Sequence, residues 1–181
     1  MSLTLLTPPA GFPVALADIK AHLRLTDSAE DALVSAATAA ATRFIEARAG
    51  LALLTQSWRL TLDAAPEGAL RLPIGPVQGV AAVTISGETL DPSAYEVATG
   101  LPGRLRAVGA WPRPAESLAD VAVDFTAGYG AAADVPAPLI RAVKLLAAQF
   151  FETREAAGDE RFFEAPAGLD ALIAPYRELR L

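Results

Sequence analysis

Cysteine is absent from this 181-residue sequence, and histidine occurs once, as His22. Without cysteine the chain can form no disulfide, no thiolate metal site and no thiol nucleophile. A lone histidine cannot supply a zinc cage, and no Gly-x-Ser-x-Gly stretch places a nucleophilic serine on a strained turn. We therefore predict no catalytic residues, no metal and no cofactor, and a surface or boundary position for His22.

Long hydrophobic runs are also absent, although 52% of the residues are apolar. No run reaches the roughly 18 residues that a membrane span requires. The first 16 residues lack a positive region and are interrupted by Pro8, Pro9 and Pro13, which is not the pattern of a signal peptide. We expect no association with membranes.

Positive charge is scarce in the middle of the chain. The whole sequence carries −6, and residues 56–135 carry −4, from 5 basic and 9 acidic residues. No basic stripe is available to neutralise phosphates, which argues against tight binding of nucleic acid. An acidic surface could still line a passage through which DNA moves without sticking.

Two further patterns admit a functional and a structural interpretation. Gly128-Tyr129-Gly130 precedes a predicted helix but lacks the third glycine of a dinucleotide fingerprint and the Gly-Lys-Ser/Thr of a P-loop, so we predict a turn. Trp58, Trp111 and Phe125 could form a stacking platform for single strands. Because lysine and arginine are not interleaved with them, we interpret them as core and turn anchors.

Helical periodicity is clearest near the amino terminus. Apolar spacing predicts helices over Leu16–Arg24 and about Ser28–Ala49, the latter started by a cap within Thr26–Asp31 and followed by Gly50 in the left-handed C′ position. We expect one face of the second helix to be buried, with small residues that let a partner helix approach. That face comprises Leu33, Ala37, Ala40 and Phe44, with Val34, Ala41 and Ile45 beside it.

A third helix is predicted to open at Pro136, since proline is tolerated in a first turn, and to end near Gly158. Its apolar stripe is Leu139, Val143, Leu146 and Phe150, and we expect this stripe to pack on the second helix.

Between these helices the period changes from 3.6 to 2. Residues 56–127 contain several short alternating runs cut by glycine and proline, which predict an antiparallel sheet folded on itself. The fold class is therefore α+β, in a single domain over 1–181. A helical scaffold (16–50 and 136–158, two amino-terminal helices and one long carboxy-terminal helix) carries an inserted antiparallel β region and extended termini.

The two termini are the least determined parts. Residues 1–15 should form an extended arm, lying either on its own domain or on a neighbouring subunit. The tail, 159–181, has little regular pattern but many large apolar groups, and these favour an interface with another protein over packing on the same domain. The residues concerned are Phe162, Phe163, Leu169, Ile173, Tyr176, Leu179 and Leu181.

Several short motifs occur in an order that resembles phage head–tail connector (adaptor) proteins, which phage-like gene transfer agents also carry. They are LADIKAHLR at 16–24, TQSW at 55–58, LPIGPV at 72–77, Tyr95 in its strand, Trp111-Pro112, AGYG at 127–130, Val135-Pro136 and PYR at 175–177. Together they cover nearly the whole chain. One departure is Ala15, where the family often has a serine or threonine helix cap.

The resemblance implies a structural role without enzymatic turnover. It implies a homo-oligomeric ring, a dodecamer, beneath the portal of a DNA-filled capsid, extending the DNA channel toward a stopper protein and the tail. In that family the carboxy-terminal segment engages the portal, which would be the tail from Phe162 to Leu181 here. The protein would be made in the bacterial cytoplasm and reside in the particle neck. A second hypothesis is a soluble monomeric binding module with a small-ligand site in the β insert.

Overall fold

The computed structural model describes residues 1–112, 118–153 and 165–177. The chain divides into two compact units. The β unit comprises Met1–Ala10 and Gly50–Tyr129, and the helical unit comprises Gly11–Ala49 and Gly130–Leu181. The predicted α+β class with antiparallel sheets is confirmed.

The described residues of the β unit form two antiparallel sheets rather than one sheet folded on itself. The strands are β1 (Ser2–Thr7), β2 (Gln56–Leu62), β3 (Leu70–Arg71), β4 (Val77–Ile85), β5 (Glu88–Thr89), β6 (Tyr95–Ala98), β7 (Arg104–Ala107) and β8 (Val121–Ala127). The five-stranded sheet has the order β1-β2-β8-β4-β5, and the three-stranded sheet has the order β3-β7-β6. The short strands pair among themselves because their apolar residues, such as Leu105, enter the same core as Leu60 and Phe125.

The predicted arm begins as a strand of its own unit. β1 pairs antiparallel with β2, with Leu3 opposite Leu60 and Leu5 opposite Trp58. Its Ser-Leu-Thr-Leu alternation suits a half-buried edge strand. For Ser2–Thr7 the structure therefore shows packing on the same chain, the first of the two alternatives.

The aromatic residues of the β unit act as the predicted anchors. Trp58 lies opposite Phe125 across β2 and β8. Phe125 is 1% exposed, and Trp58 and Trp111 are half-buried against the same core. The rings contribute to this core instead of forming an exposed stacking platform.

The described residues of the helical unit form four α-helices, α1 (Leu16–Leu23), α2 (Asp31–Ala49), α3 (Ala137–Glu152) and α4 (Leu169–Ile173). α3 packs on α2, and α4 packs on α3. α4 lies in the tail, where the sequence showed little regular pattern. α3 ends at Glu152, which is earlier than the end predicted near Gly158, a position outside the described residues.

α2 begins at Asp31, three residues later than predicted. Asp27 accepts a hydrogen bond from the N–H of Ala29 (2.9 Å). The first bond of the helical type runs from the N–H of Val34 to the carbonyl of Glu30 at 2.9 Å, so the turn at Asp27 precedes the helix.

The predicted buried face of α2 is wrong at Leu33, which is 50% exposed, and at Ala40, which is also exposed. Thr38 and Thr42 are buried instead. Their hydroxyls donate to the carbonyl oxygens four residues back, at 2.7 and 2.8 Å, so the helix satisfies these polar groups internally. Threonine can thus occupy a face that the apolar pattern assigned to leucine.

Candidate interaction surfaces

The tail is anchored in the helical unit by two fully buried side chains. Leu169 and Ile173, both on α4, are 0% exposed. The helix is preceded by Gly168 in the left-handed conformation (φ 84°), which allows the chain to turn into it. α4 is therefore part of the core of its unit although it has only five residues.

A bidentate ion pair also holds α4 to α2. Arg48 donates from Nε and Nη2 to the two carboxylate oxygens of Asp170, each at 2.8 Å. The guanidinium of Arg48 also lies 6.0 Å from the ring centroid of Phe44, and this ring meets Phe150 edge to face at 6.5 Å.

Arg48 lowers the pKa of Asp170 below its ordinary value of 3.8, mainly through these hydrogen bonds. The positive charges of Arg48 and Arg177 act in the same direction. Because the folded-state pKa is depressed, the stabilising effect is complete above the ordinary aspartate pKa. It is lost as the pH falls through the lowered value.

Asp170→Asn should therefore change stability in a pH-dependent manner. We expect the free energy of unfolding of the variant to fall below that of the wild type at neutral pH. The gap should close as the wild-type carboxylate becomes protonated in acid. Denaturant unfolding from neutral pH down to below 3.8 measures this. A gap that is independent of pH would mean that the ionised pair contributes nothing.

The seven tail residues predicted to form an interface have different environments. Leu169 and Ile173 are covered by their own unit, and Tyr176, in a 3-10 turn over Ala174–Tyr176, is half-buried. The other four, Phe162, Phe163, Leu179 and Leu181, lie outside the described residues. The interface role of the set stays a prediction, but two of its members already have a structural role.

The glycine turn after β8 is determined by the backbone. Gly128 has φ +131°, and its N–H donates to the carbonyl of Pro76 at 2.8 Å. A Cβ atom here would enter the carbonyl group of Leu54 and lie 2.8 Å from the nitrogen of Thr55. This close approach to the backbone explains why the position is glycine, and no phosphate-binding role is needed. The turn predicted from the sequence agrees with it.

A group of arginines on the three-stranded sheet was not predicted. Arg71 on β3 lies directly opposite Arg104 on β7, and Arg106 lies opposite Glu96 on β6. All four side chains are exposed. Arg104, Arg106 and Glu96 also line a hollow of about 310 Å³. Arg106 and Glu96 bond to each other at 2.7 Å, so these two groups satisfy each other there.

Histidine and acidic side chains are the candidate groups of this chain for catalysis or metal binding. His22 is exposed. Within residues 1–112, 118–153 and 165–177, no three His, Asp or Glu side chains are grouped so as to hold a metal ion. In the same part of the chain, no helix combines the length and apolarity needed to cross a bilayer.

Comparison with known proteins agrees with a structural role. The profile of the phage gp6-like head–tail connector proteins matches residues 13–88. A chain in the neck of an empty gene transfer agent particle, computed with C6 symmetry, is 32% identical with a TM-score of 0.83. That similarity covers 100% of this chain and 97% of the other.

The chain belongs to the phage head–tail connector family. This connector also matches a chain of the native gene transfer agent virion (31% identity, TM-score 0.84) and one in the native neck computed with C12 symmetry (30%, 0.81). Both matches cover 100% of the connector and 97% of the other chain. The comparison with curated proteins gave no match.

Membership confirms the resemblance drawn from the motifs, and it means that the connector is a structural protein and not an enzyme. The profile match spans α1, α2 and the strands β2 to β4. α3, α4 and the strands β6 to β8 lie outside the profile match, but the similarity to the gene transfer agent chain covers them as well.

Proposed function

We propose that this connector forms a ring of twelve copies beneath the portal of a DNA-filled capsid, in the neck of a phage-like particle. The ring joins the capsid to a stopper protein and the tail and extends the DNA channel. The observation that carries the proposal is the full-length similarity to a chain in a gene transfer agent neck computed with C12 symmetry. The connector is made in the bacterial cytoplasm and joins the particle there.

The charge of the connector supports a passive channel. Each copy carries −6, so a ring of twelve is strongly negative. DNA of the same sign is repelled by such a ring and passes through it without specific binding.

The tail provides the contact with the portal in this proposal. Leu169 and Ile173 attach α4 to the helical unit, and the ion pair of Arg48 with Asp170 holds it to α2. Tyr176 is half-buried at the end of this segment. The last four residues, which include Leu179 and Leu181, follow directly and contact the portal in the assembled neck.

The test uses portal-bearing, DNA-filled particles that lack the connector. Added connector should bind to their portal vertex, and averaged electron micrographs should show a twelvefold ring there. A connector that stays monomeric in solution and leaves these particles unchanged would contradict the proposal.

Removing residues 178–181 should abolish this docking while leaving the folded protein intact. All described core residues remain in the shortened chain, so its thermal unfolding should match that of the wild type. Docking is measured by cosedimentation of connector with the particles. As a control, Tyr176→Phe keeps the aromatic side chain and its packing, so this variant should dock normally. Full docking of the shortened chain would place the portal contact elsewhere.

A further inference from the structure

The outward side of the three-stranded sheet is the most basic surface that the described strands form. We call it the arginine face and define it by Arg71, Arg104 and Arg106. Directly opposite residues of antiparallel strands share a face, as do residues two apart along one strand. The register of Arg71 with Arg104 and the spacing of Arg104 from Arg106 therefore place all three guanidinium groups on one side. Leu105, between the last two, is 1% exposed and enters the core.

The arginine face is positive within an acidic chain. Glu96 pairs with Arg106 and so does not neutralise the positive charge of Arg104, whereas the whole chain carries −6. Glu96 accepts from the Nε of Arg106 at 2.8 Å, and the Nη2 of Arg106 lies 2.7 Å from the same carboxylate. Arg104 makes no ion pair with any of the described residues, so its charge is available to a partner.

We propose that the arginine face of one copy binds an acidic surface of the next copy in the ring, an inference that rests on the proposed ring. Contacts around a cyclic ring are heterologous, which means that two different patches of the same chain meet. Copies that each carry −6 repel one another unless opposite charges meet where they touch. A positive patch on a negative chain supplies one half of that contact.

The acidic half of this contact is present on the same chain. Asp63 follows β2 and Asp120 precedes β8 at the end of the five-stranded sheet where Leu62 pairs with Val121. Asp63 is exposed and pairs with the amino terminus of Met1 at 3.4 Å. Asp120 accepts a hydrogen bond from Ser86 at 2.6 Å, so the two carboxylates leave one negative charge in excess after the amino terminus is counted. These carboxylates form an acidic edge, a negative surface that a neighbouring copy could place against the arginine face.

DNA is a poorer partner for the arginine face than a second copy. Tight binding to the phosphate backbone takes about 6–10 phosphate contacts. Three arginines fall short of that number, and residues 56–135 around them carry a net −4. Long-range repulsion from the rest of the chain would oppose a polyanion, whereas a folded acidic neighbour can present a few carboxylates locally.

Arg104→Glu is the decisive variant. We expect the concentration needed for half-maximal ring formation on connector-free, portal-bearing particles to rise at least tenfold, because every contact in the ring carries the same reversed charge. Arg43→Glu is the matched control, since Arg43 is exposed on α2 and its reversal changes the net charge equally. It should assemble like the wild type, as should Arg104→Lys. Equal thermal unfolding of the three variants shows that each is folded.

The outcomes separate this inference from the proposed function. Rings of Arg104→Glu that form at the wild-type concentration overturn the inference alone, as does an equal defect in Arg43→Glu. Binding of a 20-base-pair duplex that is lost in Arg104→Glu, measured by fluorescence anisotropy, would assign the face to DNA and also overturn it. Wild-type protein that forms no ring on the particles overturns the proposed function itself.

Discussion

Leu169→Ala is expected to lower the free energy of unfolding of the helical unit by about 2–5 kcal/mol. The side chain is 0% exposed, so its removal loses buried apolar surface and leaves a cavity. α4 has only five residues and is too short to be stable by itself. Denaturant unfolding followed by circular dichroism measures the loss.

Leu33→Ala is the matched control for this substitution. It deletes the same atoms from a leucine on α2 that is 50% exposed, so we expect a change of no more than about 1 kcal/mol. If both substitutions had the same small effect, the packing of α4 in the core of its unit would be refuted.

The burial of α4 also decides which deletions separate docking from folding. A chain that ends at Asp159 lacks the whole predicted tail, but it also lacks Leu169 and Ile173, which belong to the core. Such a chain should lose stability whether or not the tail binds a portal. The shorter deletion of residues 178–181 leaves both core residues in place, so it tests docking alone.

Gly128→Ala is expected to destabilise the β unit by about 3 kcal/mol or more. A left-handed conformation alone costs a non-glycine residue about 1–2 kcal/mol. The added Cβ would also meet the backbone of Leu54 and Thr55, which cannot move aside as a flexible side chain could. Thermal unfolding should show a large drop in midpoint temperature for the variant.

Gly79→Ala provides the comparison within the same unit. Gly79 lies in β4, has no positive φ, and a Cβ placed there meets nothing within 4 Å. Its replacement should be neutral or slightly stabilising, because alanine restricts the unfolded chain more than glycine does. Equal midpoint temperatures for the two variants would show that the backbone conformation at residue 128 does not require glycine.

Much of the fold could be predicted because the relevant signals are local. The alternation around Trp58 and Leu60 predicts β2 since neighbouring side chains of a strand point to opposite faces. Gly50 was predicted to follow the second helix in the left-handed conformation, and it has φ +69°. The short motifs, taken in their order along the chain, indicated the connector family.

The sequence by itself thus determined the fold class, the position of most elements and the family. Tertiary structure decided which face of α2 is buried, because threonines that bond to their own helix can replace leucine in a core. It also decided that Leu169 and Ile173 belong to the core, since the groups that cover them come from distant elements such as α3.

The arginine face shows most clearly what could not be predicted from the sequence alone. Arg71 and Arg104 are far apart along the chain, and no run of positive charge marks either of them. They become neighbours only because β3 pairs with β7 in a register that sets one opposite the other. Local periodicity assigns a residue to the inside or outside of a strand, but only strand pairing determines which distant charges share a surface.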